Sequence, residues 1–389
     1  MQPYKLDYPQ EALDDLRERL ANIRWPQGLP EDGWARGVPQ DYLRELVEYW
    51  RDHYDWRKAE AELNQYPQFT TTIDGARVYF IHVRSPEPTA VPLLITHGWP
   101  GSVAEFLEVI GPLTDPRSHG GDPAEAFHLV IPSIPGFGFS GPAGEGGWNI
   151  GRVASAWAEL MKRLGYHRYI AQAADFGIGI NLALAMMDSE HMMGLHLNGV
   201  PTTPLTDDPA EIADFDADER SRLDRTERFV RELSGSMKIL STRPHTVAYG
   251  FSDSPVALLA YIVEKFKDWT DTDLLPEDAV DRDRILTVVM SYWLPNTGGT
   301  SSQFYYEIAP YLPVNVTTGH YDPISVPFGV AVFPHAPFAP VRRFIERDFP
   351  TLVHWSEFDR GGNFAALEEP DLYLQDVRAF RRTLERSAA

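Results

Sequence analysis

The chain runs to 389 residues, 43% hydrophobic and 23% charged, and contains no cysteine. That length suits two or three structural units at roughly 150 residues each, and the apolar fraction can fill a large core. Without cysteine there is no disulfide framework, no thiolate nucleophile and no Cys-ligated metal centre. With 35 Lys and Arg against 56 Asp and Glu, the formal charge of -21 sets the surface against phosphate backbones and anionic lipids.

The opening MQPYKLDYPQEALDDLRERL has no apolar leader and is acidic almost at once, so a cytoplasmic protein is expected. Apolar residues recur at helical spacing over 9–24 and 41–56, with Pro26, Pro30 and Pro39 between them. Residues 1–66 are therefore expected to form a helical meander around something larger. From residue 67 the period changes: TTTIDGARVYFIHV predicts two strands about an Asp74-Gly75 turn. PLLITHGWPG predicts a buried strand, SVAEFLEVIGPL a helix ended by Gly111-Pro112, and HLVIPSIPG another strand. Helix 150–164, strand RYIAQAAD, helix GINLALAMM and strand GLHLNGV follow. This alternation, with unbroken Val/Ile/Leu runs, predicts an α/β protein whose mostly parallel sheet is covered on both faces.

Residues 201–313 are mainly helical, within a cap expected over 201–325, and strands return at 327–334 and 352–359 before a last helix over 371–385. The expected organisation is thus a core in two parts, 67–200 and 326–389, with a helical cap between them. Ligands of parallel sheets bind beyond the strands' carboxyl ends, which such a cap would roof.

The run from Gly136 through Gly138 to Gly141 matches G-x-G-x-x-G after a strand, but Pro142 and AGEGGW cannot open the helix a dinucleotide needs. It is expected instead to be a turn lining a pocket. His320 and Asp322 are too few for a metal site, and Asn315–Thr317, a glycosylation pattern, carries no weight without a leader. No G-x-S-x-G occurs, so a serine esterase lacks its nucleophile elbow.

The informative segment is Gln172-Ala-Ala-Asp175-Phe-Gly177. A strand ends at Asp175 and a helix opens after it, the turn that lifts a nucleophile above a sheet. An Asp beside Gly is also a common helix N-cap. His97-Gly-Trp99-Pro100, after an earlier strand, favours the elbow. Its turn can aim a backbone N–H at the same crevice, with the N–H of Phe176 as a second donor.

With HGWPGS, SIPGFGFS, the Asp-Phe-Gly elbow, DSPVALLAYIVEKF, SSQFYYE and RGGNFAALEEP in this order, the whole chain resembles the epoxide hydrolases of the α/β-hydrolase superfamily, in the microsomal-type branch with an N-terminal meander. The resemblance implies an α/β-hydrolase fold and covalent opening of an epoxide without a cofactor. The elbow Asp attacks carbon, two cap tyrosines protonate the oxygen, and a His paired with a carboxylate brings water onto the resulting ester. By the same resemblance Asp175 is the nucleophile, Trp99 and Phe176 supply the oxyanion-hole N–H groups, and Tyr306 is one of the tyrosines. Phe176 stands where Trp is usual, and three further positions depart from the pattern. Ser236 stands for the other tyrosine, Asn363 for the His, and Ala336 for its acid.

An amide has no basic nitrogen, so Asn363 takes no proton from water, and Ala336 orients nothing. Loss of a general base costs 10²–10⁴-fold in rate, and 10⁴ is about 5.5 kcal/mol of barrier. His335, beside Ala336, is the candidate substitute base. Three readings stay open. One is opening by a nucleophile within the substrate, giving cyclisation or a carbon–carbon bond. Bacterial family members make a polyketide or enediyne-like polycyclic substrate the expectation there. The others are hydrolysis with a rearranged base, and a catalytically inactive binding protein. Tyr305, Trp148, Tyr249, Tyr261, Trp293 and Phe338 are candidate pocket residues. The expected partner is a small-molecule epoxide, with no metal, nucleic acid or membrane, and a homodimer is left open.

Overall fold

The computed structural model describes residues 1–312 and 318–388, so the Asn315–Thr317 pattern lies outside the described residues. Nine strands share one sheet: β1 (Gln2–Tyr4), β2 (Gln68–Ile73), β3 (Ala76–Val83), β4 (Val91–Thr96), β5 (Phe127–Pro132), β6 (Tyr169–Ala174), β7 (Met192–Asn198), β8 (Phe328–Val332) and β9 (Leu352–Glu357). Their spatial order is β1-β2-β3-β5-β4-β6-β7-β8-β9. Everything from β5 to β9 is parallel, and β1–β3 add an antiparallel edge. The β2–β3 hairpin turns on Asp74 and Gly75, both at positive φ (47° and 79°), as a tight hairpin of matching twist requires.

All six residues of β6 are buried, because the strand is central and helices cover both faces. Helices Ile150–Arg163 and Phe176–Met187 pack together on one face, while Leu107–Thr114 and Pro370–Ala388 pack together elsewhere against the sheet. Across the latter, Asp376 accepts hydrogen bonds from Nε2 of His196 on β7 (2.7 Å) and of His354 on β9 (2.9 Å). Burial pushes this carboxyl up, but the two imidazole bonds prevail and hold it below the usual carboxylate range.

Helices between Ala217 and Glu307 form the layer beyond the strands' carboxyl ends. The N-terminal segment straps this layer. The Tyr42 hydroxyl donates to Glu277, and Arg284 makes a forked pair with Glu62 at 2.6 and 2.8 Å. No single helix among the described residues is long and apolar enough to cross a membrane.

Three local expectations are corrected. The helix expected over 41–56 stops at Asp52, and a new one, Trp56–Leu63, starts where the Asp55 side chain accepts the N–H of Arg57. The helix expected to end at Gly111-Pro112 runs through both to Thr114. Pro112 costs it only the bond to the carbonyl of solvent-exposed Glu108, which water can satisfy. The Gly136–Gly141 turn does not line the cavity. It is buried in the core, where the Ser140 hydroxyl ties β3 to the carbonyl of Ser133.

Candidate active site

Asp175 follows β6 directly and adopts φ 53°, ψ -129°, a conformation that costs a non-glycine residue about 1–3 kcal/mol. The turn stands because its neighbours leave it no alternative. A Cβ on Gly98 would fall 2.2 Å from Asp175 Oδ1, and one on Gly177 would fall 2.4 Å from the Thr96 carbonyl. Both glycines allow the β4 loop and the elbow to close on each other. The outcome is an anchored carboxylate: Oδ1 accepts the N–H of Trp99 at 2.9 Å and of Phe176 at 2.7 Å.

Burial raises the Asp175 pKa to about 6, against the lowering by those two N–H groups and by the Asn363 side chain. The Asn363 amide lies near enough to favour the anion, yet its Nδ2 is buried without a well-directed hydrogen bond. A carboxylate that titrates near 6 is a competent base at neutral pH as well as a nucleophile.

Asp175 lines a cavity of about 1070 Å³ between the sheet and the cap, walled mainly by apolar side chains such as Leu182, Val200, Ile212, Val230, Met237 and Phe338. Ala336, in the loop after β8, and Asn363, in the loop after β9, line the same cavity. The backbone N–H of Asn363 is fixed to the carbonyl of Trp269, and Glu368 closes the loop by accepting the N–H groups of Phe364 and Asp271.

The structure separates the two tyrosines of SSQFYYE, neither of which is among the residues lining the cavity: Tyr306 is 56% exposed, whereas Tyr305 is 2% exposed. The Tyr305 ring packs edge-on against Phe176 and Trp99, with centroids 4.7 and 5.7 Å apart. Burial and the nearby Asp175 charge hold its phenol protonated well above the usual range. Ser236 lies outside the cavity lining, where Met237 turns in instead, and the hydroxyl of Tyr261 donates to the Ser236 carbonyl.

Of the six aromatic candidates only Phe338 lines the cavity. Tyr249 is 77% exposed on the cap surface. Trp148 is buried under the Arg152 guanidinium, and Trp293 sits beside Arg19 of the N-terminal segment. His335 is corrected as well: it faces solvent and pairs with Asp271 at 3.2 Å, away from the cavity. His97 is buried and driven down to about 4, hence neutral, and braces the loop by bonding the Gly98 carbonyl and the Ile134 N–H.

Sequence reasoning missed two interior acids, one buried and one half-buried. Glu105, 4% exposed, is pushed well above the usual range by burial and by the charges of Asp175 and Glu368. Glu368 is raised to about 8, again chiefly by burial. A sequence signal exists for the first: the third residue of a turn that opens on Ser102, in an otherwise apolar stretch.

Comparison with known proteins matches this geometry. Residues 1–106 match the model for the epoxide hydrolase N terminus, and residues 91–370 that for the alpha/beta hydrolase fold. A putative epoxide hydrolase of Stigmatella aurantiaca is 44% identical over 98% of this chain and 85% of its own length. Epoxide hydrolase 1 of Sus scrofa is 36% identical over 99% of this chain and 89% of its own. The Aspergillus niger epoxide hydrolase structure superposes with a TM-score of 0.85 at 33% identity, covering 98% of this chain and 96% of that one. Juvenile hormone epoxide hydrolase from Bombyx mori gives 0.89 at 30%, covering 100% and 95%. These matches, which span nearly the whole of this chain and most of each relative, make it a member of the epoxide hydrolase family of the α/β-hydrolase superfamily.

Proposed function

We propose that the protein opens an epoxide without water, using a nucleophile within the substrate, and that the substrate is a large polycyclic secondary metabolite of polyketide or enediyne type. One observation carries this reading. Asn363 and Ala336 line the same cavity as Asp175, so an amide and a methyl group occupy the walls where a water-activating base and its acid belong. Asp175 then serves as the base that takes the proton from the attacking group, and Tyr305 protonates the departing oxygen. Once the ring is open, Asp175 returns its proton to Tyr305, so the product is an isomer of the substrate and no proton leaves the site. The cavity's size and apolar walls suit a large ligand.

A hydrolytic reading rests on His320, the one imidazole among the described residues that line the cavity. The mass of the product separates the two. An isomer supports internal opening, and a product one water heavier that vanishes in His320→Ala supports hydrolysis.

A further inference from the structure

Away from the cavity, three side chains able to ligate a metal converge on one point. His196 sits on β7, His354 on β9 and Asp376 on the helix Pro370–Ala388, and none of them lines the cavity. Between the two strands runs β8, whose Gly329 leaves the imidazoles room to reach Asp376; a Cβ there would fall 3.3 Å from that of His354. One ring nitrogen of each histidine and a carboxylate oxygen lie within 4.8 Å of one another. An ion held by bonds of about 2.0–2.2 Å has its ligands roughly 3–4 Å apart, so side-chain rotations bring the three onto it. Charge supplies a second observation. Asp376 is 3% exposed, and its ion-pair partners among the described residues are these two imidazoles alone. A carboxylate can only accept, so both Nε2 atoms carry hydrogen, and with both rings neutral the cluster buries a negative charge that no Lys or Arg offsets. His196 Nδ1 is buried without a partner, so its ring is free to move its hydrogen there and present the Nε2 lone pair instead. A recess of about 340 Å³ outside the edge strand β9 reaches His354, and Arg342 on its wall is paired with Glu346 at 2.8 Å.

We propose that His196, His354 and Asp376 bind one divalent transition-metal ion of the zinc class. The site is independent of the epoxide chemistry. Two imidazoles and a carboxylate without thiolate suit Zn²⁺, whereas Mg²⁺ and Ca²⁺ take oxygen ligands and fit this set poorly. The ion answers the buried charge of Asp376 and ties β7, β9 and the last helix to a single centre. The Ser356 hydroxyl, 3.1 Å from His354 Nε2, stands beside the fourth position, which it or a water fills. Residues 196, 354 and 376 lie too far apart in the chain to form a recognisable ligand spacing, so sequence alone predicts no metal there.

The test titrates the full chain, stripped with a chelator and dialysed, with Zn²⁺ in a calorimeter. X-ray absorption of the zinc-loaded protein then counts the imidazoles around the ion. One equivalent with two imidazole ligands is expected, and thermal unfolding should shift up by about 3 °C at a hundredfold excess of Zn²⁺ over Kd. His354→Gln, whose amide can still donate to Asp376, should weaken binding by at least about tenfold. His191→Ala, which removes a half-buried imidazole paired with Asp188 elsewhere, should leave it unchanged. No binding, fewer than two imidazoles at the ion, or undiminished affinity in His354→Gln overturns the inference, as does loss of binding in His191→Ala. Should His354→Gln fail to fold, the imidazole count and the thermal shift of the unaltered protein decide the matter.

Discussion

At the scale of single residues the chemistry depends on which groups hold a proton. Asp175 must be ionised to act as base or nucleophile, and burial places its pKa at about 6. Activity is therefore expected to rise with pH through about 6 and to fall tenfold per unit below it, read as a pH–rate profile. Asp175→Asn should abolish both the profile and the activity. Tyr305 and Tyr306 provide a paired control. Tyr305→Phe should lower turnover by roughly 10²-fold with little change in binding, and Tyr306→Phe, an exposed site, should leave both near wild type. The opposite result would return the proton-donating role to Tyr306. Sequence reasoning had no means of making this choice. Adjacent residues on the five-residue helix Gln303–Glu307 face about 100° apart, and only the packing of that helix on Phe176 shows which phenol turns inward.

At the scale of elements, strands report themselves more openly than the loops between them. The β6 elbow was legible because a buried run, an Asp and a Gly stand in one short turn whose geometry few residues tolerate. The burial of Glu105 and Glu368 was not legible, since it arises from a turn after β4 packing on the helix Ala365–Glu368, far away in sequence. Helix ends failed in both directions, at Asp52 and at Pro112, where one solvated carbonyl or one side-chain cap decides. The loops after β8 and β9 offer a direct test. Asn363→His with Ala336→Glu puts an imidazole and a carboxylate on the cavity wall beside Asp175. Each change alone should do little, because an unpartnered imidazole is poorly oriented and an unpartnered buried Glu is costly to desolvate. Together they are expected to raise diol formation from a model epoxide by about 10²-fold. A folded double variant with no such gain would indicate that Asp175 forms no ester here and acts only as a base.

At the scale of the whole molecule, the site stores instability that folding must carry. Glu368 has its pKa raised to about 8 in the folded protein, against about 4.5 in the unfolded chain. A raised carboxyl adds stability that is complete below the unfolded value and lost as pH climbs to the folded one. Between those limits the native state binds one proton more, so stability should fall by about 1.4 kcal/mol per pH unit from this group alone. Denaturant midpoints from pH 5 to 8 should show the slope, and Glu368→Gln should flatten it. An unchanged slope would mean that Glu368 is ionised throughout.

One indole ring links these scales. The backbone N–H of Trp99 holds Asp175, while its Nε1 donates to the Ser301 hydroxyl on a cap helix 3.1 Å away. A single residue thus aligns the reactive carboxylate and latches the roof. Cargo too bulky to let the roof seat would pull on the same residue that aims the carboxylate, and so would meet a disarmed centre.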